Sequence, residues 1–74
     1  MENNDENKAL KKLGIAIRKI RERDSNLSQF KLAVEIGISD NQMGRIERGE
    51  TNPTFRTLFK IAKALNTDIK NFLD

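Results

Sequence analysis

The 74-residue sequence contains no cysteine, histidine, tryptophan or tyrosine. Without cysteine there is no disulfide to staple the chain, and without cysteine or histidine the usual ligands of a structural zinc are missing. No metal and no cofactor are therefore expected. The same absences, with no phosphate-binding glycine loop and no carboxylate cluster suited to a metal, argue against an enzyme. No apolar run approaches the roughly 18 residues of a membrane span, and residues 1 to 7 are acidic and polar, unlike a signal peptide. The expectation is a cytoplasmic protein with no membrane partner and no small-molecule ligand.

What is present is charge and helical periodicity. The formal net charge is +3, but Glu2, Asp5 and Glu6 all fall in the first seven residues, so the remainder is more basic than the total suggests. A basic domain attracts polyanions, although the same balance also serves solubility. A chain this short forms one domain at most, buries only about 60% of its unfolded surface, and commonly leans on a partner subunit when disulfides and metals are absent.

Residues 1 to 7 have no apolar side chain after Met1 and are expected to form a disordered acidic tail, with the folded domain spanning residues 8 to 74. From Lys8 to Arg23, Leu10, Leu13, Ile17 and Ile20 recur at steps of three and four, which places them on one helical stripe. Asp24, Ser25 and Asn26 favour a turn and end that helix. Ser28 is suited to cap a second helix whose inward face is Leu32, Ala33 and Ile36, and Gly37 stops it. Ser39 with Gln42 three positions on reads as a capping box opening a third helix, with Met43 and Ile46 inward and its end near Arg48 and Gly49. After the Asn52-Pro53 break, Thr54 caps a fourth helix with Phe55, Leu58, Ile61, Ala62 and Leu65 on one stripe, and Asn66 ends it. Asp68 caps a last short helix carrying Ile69, Phe72 and Leu73. No segment alternates as a strand would. The expected fold class is all-α, a compact bundle of five helices.

The second and third helices are short and joined only by Gly37, Ile38 and Ser39. Such a pair needs a left-handed turn position and apolar anchors, and Ala33, Gly37, Ile38, Met43 and Ile46 supply them in order. The outer face of residues 39 to 48 is then left free, and a helix held this way fits a major groove about 12 Å wide.

These fragments, together with Leu13-Gly14, Ile17-Arg18, Arg21, Leu27-Ser28-Gln29, Ile46-Glu47-Arg48-Gly49, Leu58 and Ile61-Ala62-Lys63-Ala64-Leu65, resemble the phage repressor and Cro type of helix-turn-helix domain, the lambda-repressor-like fold. Each fragment alone is weak evidence. Their joint order over some sixty residues is specific, and only the acidic tail falls outside it. The resemblance implies a transcription regulator, usually a repressor, that binds double-stranded DNA as a homodimer. It makes residues 28 to 36 the positioning helix and residues 39 to 48 the recognition helix.

Residue roles follow from the same resemblance. Asp40, Asn41, Gln42 and Arg45 match the outward positions that read base edges. Arginine bonds guanine bidentately, and asparagine or glutamine does the same with adenine. Gln42 has two competing uses, base contact or closure of the capping box. Asp40 either accepts a bond from cytosine or favours the helix start through the dipole. Gln29 matches a phosphate-contacting glutamine, Ser39 caps the helix and is placed to touch DNA, and Thr51, Asn52, Thr54 and Arg56 suit phosphate contact. Arg21 and Glu47 match a pair that ties the first helix to the end of the recognition helix, a structural salt bridge. Ile69, Phe72 and Leu73 are the first choice for the dimer contact.

Some positions depart from the pattern. Gly44 costs about 1 kcal/mol of helix stability relative to alanine, in exchange for a closer approach to DNA or for a more adaptable helix. Ile15, Phe30 and Val34 stand where polar residues are usual, either as ordinary exposed side chains or as cover for a partner or the tail. Phe30 and Val34, with Asp40 and Glu50, keep open an alternative function, a protein-interaction module such as an antitoxin subunit or adaptor. Against it stand the basic side chains of Lys11, Lys12, Arg18, Lys19 and Arg23 on the first helix.

Overall fold

A computed structural model describes residues 4 to 73, with side chains from Asp5 onward. Four α helices and one short 3-10 helix make up the described residues: α1 (Asn4–Asp24), α2 (Gln29–Ile36), α3 (Asp40–Glu47), α4 (Phe55–Ala64) and the 3-10 turn Ile69–Phe72. The all-α expectation holds. The fifth element is not an α helix, however, because only four residues separate its cap, Asp68, from Leu73, which leaves room for a single tightened turn.

The first helix also starts earlier than its apolar stripe. Residues 4 to 7, expected in a disordered tail, are the opening turn of α1, and residues 1 to 3 of that tail lie outside the described residues. Asp5 and Glu6 sit in the first turn, where carboxylates face the positive end of the helix dipole. Apolar periodicity cannot detect a turn held in this way.

The other boundaries have local chemical causes. The Ser25 hydroxyl donates to the Arg21 carbonyl (2.7 Å) and accepts from the Leu27 amide (3.1 Å), closing α1. Ser28 accepts from the Lys31 amide to open α2, and Gly37, at φ 81°, ends it in the left-handed conformation with its amide directed at the Ala33 and Val34 carbonyls. That conformation favours glycine because it has no Cβ. Ser39 accepts from the Gln42 amide at 3.0 Å while the Gln42 side chain accepts from the Ser39 amide at 2.9 Å, a complete capping box. Thr54 accepts from the Thr57 amide at 3.1 Å to open α4.

Ile17, Leu32, Met43 and Ile61, one from each α helix, are fully buried and meet in one core, around which Ile20, Ala33, Ile36, Ile46, Leu58, Ala62 and Leu65 close. Phe72 joins them at 2% exposure. Phe55 does not: although it continues the α4 stripe, it is 68% exposed. Spacing defines a helix face, but it does not say how far along that face a neighbouring element reaches.

Two glycines let α1 lie directly on the α3 region. A Cβ on Gly14 would fall within 2.6 Å of the Ile46 carbonyl oxygen and closer still to that of Glu47, so the two backbones touch where the helices cross. Gly49 lies equally close to Lys11 on α1. The end of α3 is thus clamped against the first helix.

Candidate nucleic-acid interface

Helix α3 divides into two faces. Met43, Gly44, Ile46 and Glu47 point inward, whereas Asp40, Asn41, Gln42 and Arg45 are exposed. All four outward residues being polar or charged, this face is read as a hydrogen-bonding surface rather than as unfinished core.

Beneath it lies a buried polar network. Arg21 on α1 grips Glu47 at the end of α3 with two parallel bonds, Nε to Oε2 at 2.7 Å and Nη2 to Oε1 at 3.0 Å. The Gln29 amide at the start of α2 donates to the same Oε1 at 3.0 Å, and Arg21 Nη1 reaches the Leu27 carbonyl at 3.3 Å. Arg21 and Glu47 are only 8% and 6% exposed. Paired in this geometry, the Glu47 carboxylate pushes the guanidinium's pKa up. Three helices are therefore joined at one carboxylate, and among the described residues no buried side-chain nitrogen or oxygen lacks a hydrogen-bond partner.

The structure collects some of the expected DNA-contacting residues and separates others. Gln42, Arg45, Thr51, Asn52 and Thr54 line one shallow cleft between α3 and the start of α4. Arg56 lies elsewhere, beside Val34 and Phe59 in a groove between α2 and α4. Gln42 has its side-chain oxygen committed to the capping box, so only its NH2 group is available to a base. The hydroxyls of Ser39 and Thr54 likewise accept bonds within their own caps. Gln29 has its amide on Glu47, which makes it part of the supporting network whatever else it touches.

Gly44 is buried, and neither reason expected from the sequence accounts for that. A Cβ there would come within 2.8 Å of Arg48 Nη1 and 3.3 Å of Gln29 Oε1, so the missing side chain makes room for those two polar groups. Among the proposed dimer residues, Phe72 is consumed by its own core, Ile69 is partly buried against it, and Leu73 is exposed. Arg48, which the sequence marks only as the end of the third helix, lies beside Gly44. Its side chain is exposed and donates to Glu50 through Nε (3.1 Å) and Nη2 (3.3 Å). The signal in the sequence is a basic residue immediately after the third helix, next to a glycine.

Comparison with known proteins agrees with this architecture. The helix-turn-helix family matches residues 17–72, and the chain belongs to that family. The control protein C.BamHI of Bacillus amyloliquefaciens is 41% identical over 61 residues, covering 82% of this chain and 75% of that protein. The HTH-type transcriptional regulator SutR of Escherichia coli (strain K12) is 36% identical over 61 residues, which cover 82% of this chain but only 34% of SutR. Among solved structures, the restriction-modification controller protein C.AhdI from Aeromonas hydrophila superimposes with a TM-score of 0.85 at 31% identity, over 92% of this chain and 97% of that one.

Proposed function

We propose that this helix-turn-helix protein, a DNA-binding transcriptional regulator, lays α3 in the major groove of an operator and represses a promoter by occupying it. The observation that carries the reading is the division of α3: its inner face is fixed by Met43, Ile46 and the Arg21–Glu47 pair, while Asp40, Asn41 and Arg45 are exposed on the other side. A rigidly mounted helix with free hydrogen-bonding groups is what direct base readout requires. The likeness to C.BamHI, named a control protein, and to C.AhdI, named a restriction-modification controller, supports a regulatory role.

Arg45 is the leading base reader, because its guanidinium is exposed in mid-helix and fits a guanine edge. Asn41 stands one turn before it. Asn52 and Thr51, in the cleft beside Arg45, are the nearest phosphate contacts. The protein acts as a homodimer on two half-sites about 34 Å apart. Its pairing surface is the groove that Phe59 and Ile69 line together, with Phe72 withdrawn from it.

The test is to select duplexes from a randomised pool and then titrate the selected and a scrambled duplex over a range of salt. A large preference for the selected sequence is expected, with phosphate contacts setting a slope of about −0.9 per neutralised charge. Arg45→Ala should cost about 1 to 3 kcal/mol at one base position and leave the scrambled duplex almost unaffected. Equal affinity for both duplexes by the unaltered protein overturns this function and leaves a protein-binding module in its place.

A further inference from the structure

We propose that Arg48 and Lys11 form a phosphodiester-binding site on the DNA face, and that Glu50 occupies it in the free protein as a competitor that a DNA phosphate must displace. The proposal rests on the reading of α3 as the DNA-facing helix. Its basis is the forked grip of Arg48 on one exposed carboxylate, with Lys11 packed against the neighbouring Gly49. Arg48 grips Glu50 with two nearly parallel bonds, Nε to Oε2 at 3.1 Å and Nη2 to Oε1 at 3.3 Å. The Glu50 amide is bonded to the Arg45 carbonyl at 2.8 Å, which ties the acid to the last turn of α3. Lys11 comes from α1 and reaches the site because its backbone packs against Gly49.

Two glycines build this arrangement. A side chain on Gly49 would push Lys11 away, and one on Gly44 would strike the Arg48 guanidinium. The Glu50 carboxyl is held below its ordinary range, first by its bond from Arg48 and then by the charges of Arg48, Arg45 and Lys11. Glu50 therefore stays ionised.

Stability does not account for the acid. Exposed ion pairs contribute little to folding, and both side chains are about half exposed. A carboxylate among cations that face DNA would weaken binding to any phosphate backbone. A guanidinium accepts carboxylate and phosphate in the same forked geometry, so Glu50 stands where a phosphodiester would sit. Because phosphate contact is the same for every sequence, the competitor lowers non-specific affinity and leaves base contacts to carry a larger share of the discrimination.

The experiment measures fluorescence anisotropy of a labelled random-sequence 20-base-pair duplex pool between about 50 and 200 mM NaCl. It compares the unaltered chain with Glu50→Gln, Arg48→Gln, the double variant, and Glu35→Gln as a control that removes an acid from the α2 and α4 groove. Circular dichroism melts verify that each variant is folded. Glu50→Gln should bind the pool about fivefold more tightly at the lowest salt and steepen the logarithmic salt slope by about 0.9, one additional neutralised phosphate. Adding Arg48→Gln should remove most of that gain, and Glu35→Gln should produce much less of it.

The proposal is overturned if Glu50→Gln changes neither affinity nor slope, if Glu35→Gln matches it, or if the gain survives undiminished in the double variant. Should neither the unaltered chain nor any variant bind any duplex, the DNA reading falls and takes this site with it. Sequence-selective binding by the unaltered chain, together with an unresponsive Glu50→Gln, removes this proposal alone.

Discussion

Replacing Glu47 with alanine should unfold a large part of this protein's margin of stability. In the native structure the Glu47 carboxylate accepts two bonds from Arg21 and one from Gln29. Truncation leaves the Arg21 guanidinium, whose side chain is 9% exposed, without its bidentate partner, with only the exposed Glu22 carboxylate at 3.9 Å and the part-buried Leu27 carbonyl near it. Breaking a buried pair from one side costs about 3 to 5 kcal/mol, since the stranded charge keeps its desolvation penalty. A domain of this length has a total stability of about 4 to 11 kcal/mol, so the loss is about half of it. Urea denaturation followed by circular dichroism at 25 °C measures the change directly. The double variant Arg21→Met with Glu47→Leu supplies the decisive comparison: it removes both charges, fills the same space with apolar atoms, and should recover most of the stability. A loss below about 1 kcal/mol for Glu47→Ala, or a double variant as unstable as the single one, would refute the view that a stranded buried charge is the cause. The same experiment guards against misreading DNA binding, because a Glu47 variant that fails to bind does so by releasing α3 rather than by losing a contact.

Other expectations follow from the close contacts. Gly14→Ala should destabilise the fold by about 1 to 3 kcal/mol despite alanine's better helix propensity, because its Cβ would strike the carbonyls of Ile46 and Glu47; an unchanged urea midpoint would contradict the crossing of α1 on α3. Gly44→Ala should do the opposite and stabilise by up to about 1 kcal/mol, since its nearest obstacle is the far end of the exposed Arg48 side chain and Gln29 Oε1 need give way only slightly; a loss of that size in a thermal melt would show that the Gln29–Glu47 bond holds the amide in place. Phe59→Asp should abolish self-association in sedimentation equilibrium while leaving the circular dichroism spectrum intact, and an unaltered dimer would move the pairing surface away from α4.

Much of the fold was legible because its signals are local. The boundaries at Ser28, Gly37, Ser39 and Thr54 follow from side chains and glycine geometry within a few residues of each helix end. The outward positions of α3 were legible for the same reason, since Met43 and Ile46 fix the inner face by spacing. Where the reading failed, the cause was long range or ionic. Phe55 lies on the apolar stripe of α4 by spacing, yet it is left at the surface because no neighbouring element reaches it. The opening turn of α1 was missed because acidic residues, rather than apolar ones, mark it.

The sequence by itself determined where the chain turns, which side of each long helix is apolar, and that residues 39 to 48 carry an unspent polar face. These depend on interactions within one helical turn or one cap, and composition at fixed spacing records them. The tertiary structure alone decided that Gly44 shelters Arg48 and Gln29, that Gln29 shares the Glu47 carboxylate with Arg21, and that Lys11 is packed against Gly49. Each of those joins residues from different helices or chain segments, and which groups meet there is set by how closely the backbones cross.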